Sequence, residues 1–318
     1  MSANGLSKFV ERHLERLETS LDEILANGGE RAVHRFRVST RRLNEPLMLI
    51  RAVDPTVAKH VRKSRKALKR LRGLFGEVRD LDVLRSGFAD QRYNNGLPAE
   101  GRTRLVEMLL AQRRIAFVDA LEGLSGTSPV QTAGRIRNLV DDVCTGSDKR
   151  QAALLAAARA MWRKRADAAL QCESFDEDCA GFHQLRIQLK GLRYCTELLY
   201  RMEDRDDDAV LTAFVRMQDA LGAWNDHLFA ARHLARIASH DANFANHPEW
   251  SAEIMECAGA RIRRSIDERQ AARERWPHLR EMILAARLGE AAAPSKSVDA
   301  AALAAALSSV VGSAEKSS

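Results

Sequence analysis

Apolar residues recur along this chain at steps of three and four, and stretches that alternate in steps of two are nearly absent. That period belongs to amphipathic helices, so the pattern predicts an all-α protein. Pro55, Pro98, Pro129, Pro248 and Pro277 fall where helices are expected to begin or end. Asp54-Pro55, Asn94-Asn95-Gly96-Leu97-Pro98, Gly126-Thr127-Ser128-Pro129, Thr145-Gly146-Ser147-Asp148 and Asn246-His247-Pro248 read as connectors. Between them lie roughly ten to twelve helices of about 12–25 residues, lengths that suit a bundle. From about Ala291 the Ala/Ser-rich end reads as a flexible tail.

Superimposed on this pattern is a phrase that occurs twice. His34-Arg35-Phe36-Arg37-Val38-Ser39-Thr40-Arg41-Arg42-Leu43 matches His183-Gln184-Leu185-Arg186-Ile187-Gln188-Leu189-Lys190-Gly191-Leu192 at a single offset, and Arg193 follows. A second pair sits downstream. Leu74-Phe75-Gly76-Glu77-Val78-Arg79-Asp80 aligns with Ala220-Leu221-Gly222-Ala223-Trp224-Asn225-Asp226. Each half is therefore expected to hold a His-Arg helix and then a helix ending near a Gly-x-x-x-Asp turn. The halves should meet near residue 147.

At about 100° per residue, His34, Arg37 and Arg41 share one side of their helix, with Phe36, Leu43, Leu47 and Ile50 opposite. His183, Arg186, Lys190 and Arg193 behave alike, opposed by Leu185, Leu192 and Leu199. A solvated face usually mixes Glu with Lys, because such pairs stabilise a helix. Here no acid occurs from Arg31 to Asn44 or from Gly181 to Thr196. A third acid-free helix carries Lys59, Arg62, Lys63, Arg65, Lys66, Lys69, Arg70 and Arg72, with Val61, Leu68, Leu71, Leu74 and Phe75 turned to the core. Residues 31–72 hold 14 Arg/Lys against Glu45 and Asp54, more than the whole chain's excess of +7. Repulsion at such spacing is a cost that a bound anion would offset. Arginine predominates in the phrases, and its fork matches phosphate oxygens. Either histidine alone fits a packing role; their matched positions argue for donation to an anion.

Composition narrows the partner without choosing it. A pI near 9.4 suits nucleic acid, a phosphate polymer or an anionic surface. The cysteines at 144, 172, 179, 195 and 257 form no CxxC pair and no metal-ligand spacing, as expected of reduced thiols in a cytosol. Met1 to Glu18 lacks the apolar run of a signal peptide, and no stretch reaches the roughly 20 apolar residues of a membrane helix. His233, His240 and His247 recur every seven residues, about 10.5 Å apart along a helix, too far for one metal. Asp80 and Asp226, beside their expected turns, suit capping or orienting an arginine. The acidic runs Asp176-Glu177-Asp178 and Glu203-Asp204 with Asp206-Asp207-Asp208 suit solvated helix ends. No nucleophile, metal or cofactor set emerges, so no enzyme is expected.

The two His-Arg phrases, the Lys-x-Leu-Arg-Tyr ending at Tyr194 and the Phe/Leu-Gly-x-x-x-Asp elements together resemble the CHAD family, the conserved histidine α-helical domain. The resemblance covers residues 6–287, divided near 147 and 148, with 288–318 as tail. It implies an all-α unit of two pseudo-symmetric, antiparallel four-helix-type bundles around a basic central groove or pore. It also implies non-catalytic binding of inorganic polyphosphate, and a cytoplasmic place at polyphosphate granules with granule-associated proteins. The residues it assigns to the ligand are His34, Arg37, Arg41, Arg42, Arg62, Arg65, Lys66, Lys69, Arg72, His183, Arg186, Lys190, Arg193 and Tyr194. Asn44 stands where a further Arg is common in the family. Pro46 follows within the same expected helix and should kink it near Arg42. The alternatives are a nucleic-acid-backbone binder and a storage-granule scaffold. Few aromatics are available to stack bases, which argues against single strands.

Overall fold

In the computed structural model, residues 2–89, 99–145, 148–172, 178–205 and 208–292 are described. Among them there is no strand. The α-helices are α1 Ser2–Asn27, α2 Glu30–Arg42, α3 Asn44–Val53, α4 Ala58–Leu74, α5 Gly76–Ala89, α6 Ala99–Leu124, α7 Pro129–Cys144, α8 Asp148–Leu170, α9 Cys179–Glu203, α10 Asp208–His240, α11 Ala242–Ala245 and α12 Pro248–Ala292. A 3-10 turn, Pro55–Val57, precedes α4. The all-α expectation holds. Both α10, with 33 residues, and α12, with 45, exceed the expected helix lengths.

Short polar side chains start several helices as their chemistry dictates. Asp54 accepts from the Thr56 N–H, Ser128 from Gln131 ahead of Pro129, and Asp178 from Gly181 at 2.6 Å. At the end of α1, Gly28 turns with φ of 61°, and any Cβ there would strike the Phe117 ring. Asp204 closes α9 in the left-handed region. The Asn94–Pro98 connector, Gly146-Ser147, Asp176-Glu177, Asp206-Asp207 and the tail from 293 onward lie outside the described residues.

Proline placement brings one agreement and one correction. Pro46 lacks the N–H that would bond the Arg42 carbonyl, and the chain breaks into α2 and α3 at Leu43, where the kink was expected. Pro46 itself sits in the first turn of α3, where an N–H would find no helical partner anyway. Pro277, however, does not mark a boundary: it lies inside α12. Buried Ala272, Trp276, Leu279 and Ile283 hold the helix on both sides of it. Tertiary packing thus overrides the lost hydrogen bond.

The core is one contiguous cluster spanning both halves of the sequence. Helix α1 packs on α2 and α7 and also on α8 and α9, while α3 packs on α8 and α9. The long helices α10 and α12 lie against each other, and α9 lies on α10. Two buried polar links fix these crossings. The Trp162 indole donates to Thr196 at 2.9 Å, joining α8 to α9. Arg165 of α8 donates to buried Glu45 of α3 at 2.9 Å. Its guanidinium passes over Gly191, where a Cβ would stand 3.1 Å from it.

Candidate functional site

The two phrases take matching places in their helices: His34 is the fifth residue of α2, and His183 the fifth of α9. Each helix is seated by an aromatic contact to the segment carrying the second motif. Phe36 meets Phe75 edge-on at 5.3 Å, and Phe182 meets Trp224 at 5.3 Å. Phe36, Leu43, Leu47, Leu185, Leu192 and Leu199 are all buried, as expected. The opposite faces carry His34 and His183, both exposed, so neither is a packing residue.

Between these faces the cations of both phrases come close enough to act on one another. Arg41 is their common neighbour: its charge bears on His34, Arg37 and Arg72 from the first half and on Arg186 and Lys190 from the second. Lys190 in turn acts on His34 across the halves. Burial, reinforced by Arg186, Arg41 and Arg193 against the opposing Asp226, pushes the Lys190 ammonium down to about 7. Dehydration, with Arg79, Arg41, Arg37 and Lys190, holds the His34 imidazole below its ordinary range. Dehydration also raises the Asp80 carboxyl, and Asp226 adds to it against the pull of Arg37. The recurring aspartates therefore face each other's surroundings, and each serves the arginine of its own half: Asp80 with Arg37, Asp226 with Arg186.

Their role as caps is corrected by the helices. Asp80 lies within α5 and Asp226 within α10. The expected turn exists in the first half, where the chain breaks at Phe75 before Gly76. In the second half α10 runs straight through Gly222. Of the two readings of these aspartates, orientation of an arginine is the one the positions support.

Several expected ligand residues are occupied internally. Glu197 holds Arg42 at 2.8 Å and Arg193 at 3.0 Å, one from each phrase. Arg193 also donates to Gln218 at 3.0 Å, and Gln218 to the Leu189 carbonyl. Arg42 lies 5.4 Å over the ring of Tyr194, which is itself largely buried; the phenol bears on both Arg72 and Arg186. Arg37 donates to the Arg72 carbonyl at 2.5 Å, at the end of α4. Arg65 donates to Asn44 at 2.8 Å, so Asn44 anchors this arginine of α4. The Nε of Arg186 is buried with no hydrogen-bond partner, as is that of Arg42, whose terminal nitrogens reach Glu197. Arg62, Lys66 and Lys69 are exposed on α4, and nothing in the structure draws them into the cluster.

Arg79 was not singled out by the sequence. It pairs with Glu30 at 3.2 Å and acts on His34, Arg37 and Asp80. Its signal was present, since it precedes Asp80 in the repeated motif. The counterpart Asn225 concealed it. Glu197 and Gln218 left no local signal. Among the described residues, no group of three or more His, Cys, Asp or Glu could hold a metal, and no helix is long and apolar enough to cross a membrane.

The profile of the CHAD domain matches residues 8–235, most of the chain and all of the cluster. The chain belongs to the CHAD family. Solved CHAD-like structures agree in fold. The CHAD domain from the plant Ricinus communis superposes with a TM-score of 0.61 at 19% identity, covering 86% of this chain and 91% of that one. PptA from Streptomyces chartreusis gives 0.62 at 18% identity, covering 87% and 99%. No curated protein matches.

Proposed function

We propose that this CHAD protein binds inorganic polyphosphate without transforming it. The observation that carries the reading is the convergence of Arg41, Arg37, Arg72, Arg186, Lys190 and His34 from both halves, with Asp80 and Asp226 as the carboxylates they feel. Such crowding is unfavourable in the empty site, and a thin polyanion relieves it. In this reading the halves 6–147 and 148–287 are related bundles that each contribute one wall of a groove. Arg186 and Lys190 contact the chain directly, with Arg41, Arg72, His34 and His183. Arg42, Arg193, Arg65 and Tyr194 shape that groove through Glu197 and Asn44. Residence at cytoplasmic polyphosphate granules follows from the same ligand.

Calorimetric titration with long-chain polyphosphate at two salt concentrations tests this. Wild type is expected to bind in a salt-sensitive manner, and an Arg186→Gln/Lys190→Gln variant to lose most of the affinity while its melting profile is kept. An Arg37→Gln/Arg41→Gln variant should lose affinity too. Unchanged binding in both variants would remove the cluster as the site.

A further inference from the structure

The cluster leaves a second basic surface unused. On α4, the buried residues Val61, Ser64, Leu68 and Leu71 occupy one side. Arg65 and Arg72 flank that side: Arg65 reaches Asn44, and Arg72 feels Arg41. The other six cations, Lys59, Arg62, Lys63, Lys66, Lys69 and Arg70, are all exposed. At about 100° per residue they fill an arc of about 120°, centred opposite the buried side. No acid lies on this helix, and none of the six has an ion pair among those found in the described residues. Gly73 falls in the same arc, and a Cβ added there would meet nothing; only Arg70, at the edge of the face, leans over Gly126 of the α6–α7 connector.

We infer that the outward face of α4 is a separate docking surface for duplex nucleic acid, held through its phosphate backbone. The shape selects the partner. A thin phosphate chain gains most from walls on several sides, and this face is the outward side of one helix, which would touch it mainly on one side. A duplex supplies the concavity itself. Its major groove, about 12 Å wide, is flanked by two phosphate rails and accepts a helix of about 10–12 Å. Lys59, Lys63, Lys66 and Arg70 step by four, three and four residues over about 16 Å, a straight row suited to following such a rail. Four lysines and two arginines with no acid among them suit phosphate oxygens, so the contact is chiefly with backbone charge. This surface is distinct from the proposed polyphosphate site and does not depend on it.

The test compares Lys59→Gln/Lys63→Gln/Arg70→Gln with Arg186→Gln/Lys190→Gln. Both are titrated with a short mixed-sequence duplex DNA and, separately, with long-chain polyphosphate over a salt series. The α4 variant is expected to weaken duplex binding roughly tenfold or more and to flatten its log–log salt slope by about 3, one unit per lost phosphate contact. It should hold polyphosphate within about twofold of wild type, and the cluster variant should do the reverse. Exposed Lys→Gln and Arg→Gln changes are nearly neutral to folding, and thermal melts confirm that each variant is intact. Three results would overturn the inference: no salt-dependent duplex binding by wild type, an unchanged slope in the α4 variant, or equal loss of both ligands in that variant. The last would make α4 part of the polyphosphate path. Wild type that ignores polyphosphate yet loses duplex binding with the α4 cations would sink the function proposed above and support this surface.

Discussion

The first phrase enters the cation cluster on a chain broken at Leu43 and again at Phe75; the second enters on two uninterrupted helices, α9 and α10. The side chains differ in the same sense. Arg37 of the first phrase is spent on the Arg72 carbonyl and lies near Gly76, whose added Cβ would stand 3.5 Å from its guanidinium. Its counterpart Arg186 keeps a buried Nε unpaired, and nothing approaches Gly222. Arg41 aligns with Lys190, whose ammonium burial pushes down to about 7. At this matched position the first arginine is fastened and the second is kept available, whereas Arg193 of the second phrase is itself held by Glu197 and Gln218. Matched positions in a repeat need not share one task, and the residue left unsatisfied is the better candidate for contact with a ligand.

The largest effect is expected where the halves are tied together. Glu197 serves guanidiniums from both phrases with little exposure, so Glu197→Gln should strand two half-buried cations. A loss of about 2 kcal/mol in unfolding free energy is expected, measured by denaturant titration. A loss below the error of the titration would show that the two phrases are held together by packing alone.

Next comes the direct contrast of matched arginines. Arg186→Gln should weaken polyphosphate about tenfold, about 1.4 kcal/mol, with little change in melting temperature. Arg37→Gln should cost about 1.5 kcal/mol of stability through the lost charged hydrogen bond, with the smaller effect on affinity. Swapped outcomes would erase the division between the halves.

The pH dependence above neutrality should then reside in the second half, because His34 of the first half titrates lower. Lys190 is charged below about 7 in the folded protein, so polyphosphate affinity should fall as pH rises through that value. Lys190→Arg should remove the trend. Stability without ligand runs the other way. The unfolded chain keeps this proton up to about pH 10, and the folded one releases it near 7, so the group favours folding increasingly across that window. Melting curves from pH 7 to 9 check the sign.

The smallest effect separates the two glycines. Gly222 lies mid-helix beside open space, so Gly222→Ala should stabilise by up to about 1 kcal/mol. Gly76 opens α5 against Arg37, and Gly76→Ala should gain less. Equal gains would show that the break at Phe75 owes nothing to Gly76.

The fold class was legible because amphipathic periodicity is local, and so were the phrases, because charges repeated at a fixed offset stand out against any helix. The connectors at Asp54 and Ser128 were readable from capping chemistry. What escaped was long-range. Glu197 is 155 residues from Arg42, and no periodicity links them. The same distance problem hid the pairing of Arg42 and Arg193 through Glu197. Gly222 and Pro277 were misplaced as boundaries because local propensity, the signal used, yields to the packing of α10 and α12. Pro46 was read correctly because its effect falls on the one carbonyl that precedes it by four residues.

The match to the CHAD profile stops at residue 235, within α10, whereas α10 continues to His240 and lies along α12. Arg261 of α12 donates to His227, and Arg269 rests 4.8 Å over Phe182 at the start of the second phrase. A helix that contributes none of the clustered cations therefore works as a splint for the half that does. Shortening the protein to its recognisable segment would strip the cover from a long apolar flank, and insolubility would be the first symptom, ahead of any change in ligand preference.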